Sequence, residues 1–269
     1  MVECAGLAAL YCMDPRRLGR DKDPRTPQDL GLVALGFRKL VWRLLTSPGL
    51  RPMTRMLYPR STRSHCTVEG AVAFTIDDGF CGLDNPDGCM LKEVRELFKC
   101  HQARATFFVA GSHCEHTRDE EVRALLADGH ELANHGMRDH PYTAYSSEDF
   151  AADLDQADAV LARYRSVGPP WYRAPFGRIN RRMQAVLDAR GMTHVVCDAF
   201  ANDTAIPDPQ WIARRVLAQA EPGSVVLIHM PERRCREWNL EAMRLSLEGL
   251  SRRGLEVLTF SELASRELP

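Results

Sequence analysis

Residues 71–260 alternate between short apolar runs and longer stretches in which apolar residues recur every three or four positions. The short runs are typical of buried strands, and the longer stretches are typical of amphipathic helices. The predicted strands are 72–76, 105–110, 131–135, 193–197, 224–229 and 256–260, and the predicted helices are 90–100, 118–128, 147–165, 180–190, 209–220 and 238–253. Ser147 is predicted to begin the third helix, because its hydroxyl can accept a hydrogen bond from a free amide. Strands that alternate with helices predict parallel βα units, arranged as a barrel or as an open doubly wound sheet.

The first 68 residues follow this pattern less well. Residues 30–45, LGLVALGFRKLVWRLL, form an amphipathic pattern with Arg38, Lys39 and Arg43 as its polar positions. We therefore expect residues 1–68 to be an N-terminal helical extension that packs on a single domain of residues 69–269. An alternative is that residues 30–45 contact a membrane surface.

Composition limits the classes of partner. The chain has 269 residues and a net charge of −1, which gives no general attraction to nucleic acid, and it has no apolar run of 18 residues, so no transmembrane helix is expected. The apolar start, MVECAGLAALYC, lacks the early positive charge of a secretion signal and is not expected to be one. Nine cysteines without a CxxC pair favour free thiols in a reducing compartment, with a Cys81–Cys89 disulfide as the alternative. The localisation stays open.

Polar side chains follow the apolar runs where strands are predicted to end. In a parallel α/β protein these ends meet at one edge, where active sites lie. The residues at these positions are Asp77, Asp78, His135, Asp139, His140, Arg173, Asp198, Asp203 and His229. A single His or Asp at a strand end is usually structural, but their joint occurrence at successive strand ends predicts an active site.

Three short motifs among these residues resemble those of the NodB-homology polysaccharide deacetylases, carbohydrate esterase family 4. The family motif T-F-D-D-G is matched at 75–79 (TIDDG), R-x-P-[FY]-G at 173–177 (RAPFG) and L-x-H at 227–229 (LIH). A fourth, Asp-bearing motif is matched only loosely by the segment from Asp198 to Asp203. The resemblance covers roughly residues 70–265 and implies a distorted (β/α)7-type barrel.

The resemblance implies a metal site with one departure from the family. Asp78 and His135 would bind a metal, with Zn²⁺ expected and another divalent transition metal as the alternative. The family motif N-H-x-x-x-H would place a second His four residues after His135, but this chain has Asp139 there and His140 one residue later. We favour Asp139 as the third ligand, because its spacing fits and a carboxylate can bind zinc. His140 remains the alternative.

The resemblance also implies four catalytic roles. Asp77 would be the general base that takes a proton from water on the metal, and Arg173 would keep Asp77 ionised by pairing with it. His229 would be the general acid that protonates the leaving amine. Asp203 would pair with His229 and keep it cationic at neutral pH.

The implied function is metal-dependent removal of N-acetyl groups from N-acetylglucosamine units of a chitin-like polysaccharide or oligosaccharide. Two alternatives remain: a hydrolase of non-sugar amides that uses the same site, and a non-catalytic carbohydrate-binding relative. The presence of Asp77 and His229 favours activity. Exposed aromatic side chains would favour a polysaccharide substrate, and the candidates, whose alternative fate is burial, are Tyr142, Trp171, Tyr172 and Trp238.

Overall fold

The strands of the described chain lie side by side in one parallel sheet. The structure, a computed structural model, describes residues 32–45, 62–80, 82, 85–164 and 170–267. The strands are β1 (Ala71–Ile76), β2 (Ala105–Val109), β3 (Glu131–Asn134), β4 (Trp171–Tyr172), β5 (Thr193–His194), β6 (Ala199–Phe200), β7 (Val225–Leu227) and β8 (Glu256–Leu258). The helices are α1 (Leu32–Leu45), α2 (Leu91–Cys100), α3 (Asp119–Ala127), α4 (Ser147–Leu161), α5 (Arg181–Ala189), α6 (Pro209–Gln219), α7 (Trp238–Arg252) and α8 (Phe260–Ser265).

The sheet curls into the predicted barrel. Its strand order is β5-β4-β3-β2-β1-β7-β6, and β8 pairs with the first half of β1. The chain before β1 links the two sides of the sheet, because Arg63 bridges Val195 after β5 and His65 bridges Ser224 before β7. The fold is therefore a distorted (β/α)7-type barrel, as the sequence predicts.

The central strand β1 is buried along its whole length and separates two apolar layers. Because successive side chains of a strand point to opposite faces, Phe74 and Ile76 pack in the larger core cluster with the helices. The small side chains of Ala71 and Ala73 face the other cluster, which contains Phe108. β1 therefore holds the two charged residues that follow it on a rigid support.

Side-chain caps set the starts of some barrel helices, α4 and α8 among them. The predicted cap of α4 at Ser147 is wrong by one residue, because the hydroxyl of Ser146 accepts the hydrogen bond from Asp149 N. The predicted strand 256–260 ends at Leu258, since Thr259 and Glu262 form a capping box that begins α8. β6 and α8 were not predicted, because each is too short to show a clear period.

Helix α1 lies within the predicted amphipathic stretch. Lys39 Nζ donates to Asp208, the residue that caps α6, at 2.5 Å and so joins α1 to the barrel. Three apolar side chains, Phe37, Leu40 and Leu44, are exposed. Among the helices of the described residues, none is long and apolar enough to cross a membrane. The division at residue 68 and the membrane-surface contact both stay predictions.

Some predictions fall on residues outside the described part of the chain. These are the interpretation of the N-terminal apolar stretch and the Cys81–Cys89 pair, since residues 1–31 and Cys81 are not described. Within the described part, Cys66, Cys100, Cys114 and Cys197 are free thiols.

Candidate active site

The carboxyl ends of two pairs of neighbouring strands, β3 with β4 and β1 with β7, carry the predicted site residues, and β2 lies between the two pairs. Asp77 and Asp78 follow β1, His135 follows β3, Arg173 follows β4 and His229 follows β7. The first four are buried, and the ring of His229 is partly exposed. Such a site can keep charged side chains in fixed positions while one side stays open to a substrate.

Arg173 holds Asp77 through a network of fixed bonds. Its Nη1 donates to Asp77 Oδ1 at 2.6 Å and to Thr75 Oγ1 at 2.9 Å, and its Nε donates to the carbonyl of Val195 at 3.0 Å. The guanidinium also lies over the ring of Phe108, 4.0 Å from its centre. A charge-assisted hydrogen bond of this kind keeps the carboxylate of Asp77 in one orientation.

The backbone turn at Asp78 places the two aspartates in different directions. Asp78 has a φ of 54°, which is the left-handed region that few non-glycine residues adopt. The next residue, Gly79, donates its N–H to Phe108 O at 3.1 Å and lies so close to β2 that an added Cβ would be 2.8 Å from Val109 Cγ2. Glycine is required here because a side chain would push the turn away from the strand.

Asp78, His135 and Asp139 form a group suited to a divalent transition metal. Each offers one ligand atom, and these atoms all lie within 4.8 Å of one another. His135 Nδ1 is 2.8 Å from the carbonyl of Arg173, so we assign its proton to Nδ1, which leaves the lone pair of Nε2 for a metal. Nε2 lies 3.8 Å from Asp78 Oδ1. One imidazole nitrogen and two carboxylate oxygens are ligands that zinc accepts.

The turn after β3 directs Asp139 and His140 to different surroundings. Asn134 is fully buried, and its side-chain oxygen accepts from Gly136 N at 2.7 Å, which tightens the turn that presents His135. His140 points to Tyr145, whose hydroxyl is 2.9 Å from its Nε2. Of the two candidates, Asp139 is the one in the metal-binding group. Burial, followed by the nearby carboxylate of Asp78, raises the pKa of Asp139 to about 6.

His229 and Asp203 form the second ion pair of the site. His229 Nδ1 lies 3.0 Å from Asp203 Oδ1, and the N–H of His229 donates to Asp203 Oδ2 at 2.8 Å. Asn239 on α7 also donates to Asp203 Oδ2. Burial by itself would lower the pKa of His229, but the charge of Asp203 and its hydrogen bond raise that pKa to about 9. His229 is therefore a cation at neutral pH.

Asp198, the other acid of the loosely matched motif, lies elsewhere. Its carboxylate accepts from Val225 N at 2.9 Å and lies 3.0 Å from His65 Nδ1. Val225 begins β7 whereas His229 follows its end, so Asp198 belongs to the amino end of that strand. Of the two acids, Asp203 is the one that reaches the site.

One charged residue of the site was missed by the sequence reasoning. Arg236, in the loop between β7 and α7, donates from Nη1 to Asp78 Oδ2 at 2.7 Å, and its Nη2 donates to Glu232 at 3.0 Å. Burial by itself would raise the pKa of Asp78, but Arg236, with His229 and His135, holds that pKa well below its usual range. Arg236 matches no motif, and the only sequence signal was its place in a loop that follows a site strand.

Two of the four aromatic candidates for substrate contact are buried, and the two tryptophans are partly exposed. Tyr142 and Tyr172 are fully buried in the core. Trp171 packs edge-on against Phe260, and the indole N–H of Trp238 donates to Asp203 O. An open groove of about 510 Å³ is lined by residues of α4 and of the chain before it, among them Met137, Arg138, Tyr145, Asp149, Asp153 and Gln156.

Comparisons with known proteins agree with this geometry. The family model described as "Polysaccharide deacetylase" matches residues 64–195. A chitooligosaccharide deacetylase from Bradyrhizobium sp. (strain ANU 289) is 29% identical over 215 residues, which cover 75% of this chain and 94% of the relative.

Two solved structures share the fold. The peptidoglycan deacetylase PdaC from Bacillus subtilis has a TM-score of 0.63 at 24% identity, and the match covers 73% of this chain and 90% of that one. A pseudoenzyme of carbohydrate esterase family 4 from Bacillus anthracis has a TM-score of 0.67 at 19% identity, over 80% of this chain and 72% of that one. Its motifs, the family-model match over residues 64–195, its relatives and its fold together support a NodB-homology polysaccharide deacetylase of carbohydrate esterase family 4.

Proposed function

We propose that this chain is a metal-dependent N-deacetylase that removes acetyl groups from N-acetylglucosamine units of a chitin-like polysaccharide or oligosaccharide. One observation carries the proposal. The Asp77–Arg173 pair, the His229–Asp203 pair and the metal-binding group that contains Asp78 occur together at one edge of the sheet. A base, an acid and a cation site are the three components of metal-assisted amide hydrolysis.

The proposed mechanism assigns a separate task to each group. Bound by Asp78, His135 and Asp139, a divalent metal such as Zn²⁺ would polarise the acetyl carbonyl and lower the pKa of water from ~15.7 toward ~7. Asp77 accepts a proton from the attacking water at a carboxylate oxygen, and the bonds from Arg173 keep that oxygen in place.

The second proton transfer frees the product. His229 is cationic at neutral pH because of Asp203, and it donates its proton to the leaving nitrogen. The C–N bond then breaks to give acetate and a free amine. Two differently charged partners, one acid and one base, act on opposite sides of the same bond, which is the division of labour that general acid–base catalysis needs.

The substrate class rests on the relatives and on the groove. One relative bears the name chitooligosaccharide deacetylase and one structural neighbour the name peptidoglycan deacetylase, so we place chitin-like chains first and peptidoglycan second. Tyr142 and Tyr172 are buried, so the partly exposed aromatic candidates for contact with a sugar ring are Trp171, Trp238 and Tyr145, the last of which lines the groove.

The test is acetate release by the purified protein after chelation and reloading with Zn²⁺. N-acetylated chitooligosaccharides, peptidoglycan fragments and a small non-sugar amide are compared, with Asp77→Asn as the inactive control. Acetate from the chitooligosaccharides supports the proposal, whereas acetate from the peptidoglycan or the simple amide alone reassigns the substrate. Sugar binding without acetate release by the zinc-loaded protein would show a non-catalytic relative.

A further inference from the structure

Arg236 is a partly buried cation in direct contact with Asp78 of the proposed metal site. Its side chain is 13% exposed, and Nη1 lies 2.7 Å from Asp78 Oδ2. The residue is far from Asp78 in sequence, 158 positions away, and reaches it from the loop between β7 and α7. Arg234, in the same loop, has a φ of 65°, in the left-handed region.

The contact divides the two oxygens of Asp78 between different partners. Oδ2 accepts from Arg236, while Oδ1 is the oxygen 3.8 Å from His135 Nε2. A free carboxylate can rotate about its last bond and exchange these oxygens, because that torsion is soft. A hydrogen bond from a guanidinium removes this freedom.

Arg236 is itself held in place by Glu232. Nη2 donates to Glu232 Oε1 at 3.0 Å, and Glu232 is buried. The other oxygen of Glu232 accepts from Asn85 Nδ2 at 3.4 Å. The guanidinium therefore sits between two carboxylates, so that its position does not depend on Asp78 alone.

The charges of the site balance when these contacts are counted. Asp77 is paired with Arg173, Asp203 with His229, and Glu232 with Arg236. Three pairs leave the carboxylates of Asp78 and Asp139 as the remaining charges, and a divalent cation neutralises both. Arg236 and Glu232 together add no net charge, so their contribution to metal binding is orientation.

We propose that Arg236 is a positioning residue that occupies Asp78 Oδ2 and so presents Oδ1 to the metal, together with His135 and Asp139. The inference rests on the metal site of the proposed function and adds to it a residue from outside the family motifs. It excludes the opposite role, in which Arg236 is a competing cation that keeps the metal out. The two roles predict opposite changes in metal affinity when Arg236 is replaced.

The test measures Zn²⁺ binding by calorimetry for wild type, Arg236→Met and Glu232→Gln/Arg236→Met. The double variant removes the whole pair, so the net charge of the site stays that of the wild type. Both variants should bind Zn²⁺ at least ~10-fold more weakly, since a ligand without its supporting hydrogen bond loses affinity by about that factor. Arg233→Met is the matched control, because Arg233 lies in the same loop but pairs with Glu93 at the surface, and its affinity should be unchanged.

Two results would overturn the positioning role: tighter Zn²⁺ binding by Arg236→Met, or wild-type affinity in the double variant. If the wild type binds no Zn²⁺, the proposed metal site fails, and crystal structures of the metal-free proteins then decide the role of Arg236. Asp78 Oδ1 should turn away from His135 in Arg236→Met and keep its place in Arg233→Met. An unmoved Asp78 in Arg236→Met would contradict the inference.

Discussion

Arg173 Nη1 lies 2.6 Å from Asp77 Oδ1, and the same nitrogen also donates to Thr75 Oγ1 on β1. Thr75 in turn donates to the carbonyl of Val226 on β7 at 2.6 Å. The proposed base is thus tied through one guanidinium to strands β1 and β7. Its position is set by the sheet and not by the loop that carries it.

Replacement of Arg173 should therefore reduce turnover more than substrate binding. We expect Arg173→Ala to lower kcat by roughly 10²-fold or more, because the carboxylate of Asp77 loses the bond that orients it. Steady-state kinetics on an acetylated oligosaccharide measure the change, with Arg182→Ala on the exposed side of α5 as the control. Wild-type kcat in Arg173→Ala would mean that the arginine only supports the loop.

Replacement of each of the two adjacent aspartates should have a different effect on the metal content of the protein. Asp77→Asn should abolish acetate release and keep the metal, since Asp77 faces Arg173 and lies outside the metal-binding group. Asp78→Ala should lose the metal. Metal content after dialysis measures both, and a metal-free Asp77→Asn protein would show that the two roles are assigned the wrong way round.

The departure from the family motif can be tested with three variants. Asp139→Ala should lose most of the metal, while His140→Ala should keep it, because His140 points to Tyr145. A dication bound by two carboxylates and one imidazole keeps less net positive charge than one bound by one carboxylate and two imidazoles. The pKa of the activated water should therefore be higher. Asp139→His should therefore move the pH optimum down, as a pH–rate profile would measure. Loss of metal in His140→Ala with retention in Asp139→Ala would reverse the ligand assignment.

The His229–Asp203 pair predicts where activity falls at alkaline pH. The pKa of His229 is raised to about 9, so the proposed acid is protonated below that pH and activity should fall as the pH rises through about 9. Asp203→Asn removes the charge that opposes burial, so the pKa of His229 should fall and the alkaline limb of the pH–rate profile should move down by at least about one unit. Glu241→Gln on α7, where the carboxylate pairs with Arg244, is the control. If the alkaline limb of the pH–rate profile stays at its wild-type pH in Asp203→Asn, a group other than His229 causes the fall in activity.

Acid should destabilise the barrel through a buried histidine. Ala105 N donates to His130 Nδ1, and burial lowers the pKa of His130 to about 4 from 6.5. Between these values the unfolded chain binds a proton that the folded chain does not, so stability falls as the pH drops from about 6.5 to about 4. One such histidine changes the free energy of unfolding by at most ~1.4 kcal/mol per pH unit.

Urea unfolding of His130→Gln at several pH values measures this contribution. The variant should be less stable at pH 7 and should lose less stability than the wild type on going to pH 4.5. His116→Gln, at an exposed position, should keep the wild-type slope. Equal slopes for all three proteins would mean that His130 does not couple folding to proton binding.

Local sequence was sufficient to predict the longer elements and the edge of the sheet at which the candidate site residues lie. The period of apolar residues predicted helices such as 209–220 and 238–253, observed as Pro209–Gln219 and Trp238–Arg252, because packing against a buried sheet imposes that period. Charged residues directly after apolar runs predicted the site edge, because parallel strands bring their carboxyl ends together. Short elements such as β6 were missed, since two residues carry no measurable period.

Tertiary contacts determine the features of the candidate site that the local sequence pattern could not predict. The sequence predicts Asp139 as a metal ligand from its spacing alone, and the structure adds that His140 lies against the hydroxyl of Tyr145. The sequence predicts that Asp203 pairs with His229, and the fold brings them together while Asp198 lies at the other end of β7. Arg236 reaches Asp78 across 158 residues, and no periodicity or motif records such a pair, because it exists only once the loop after β7 folds back over the end of β1.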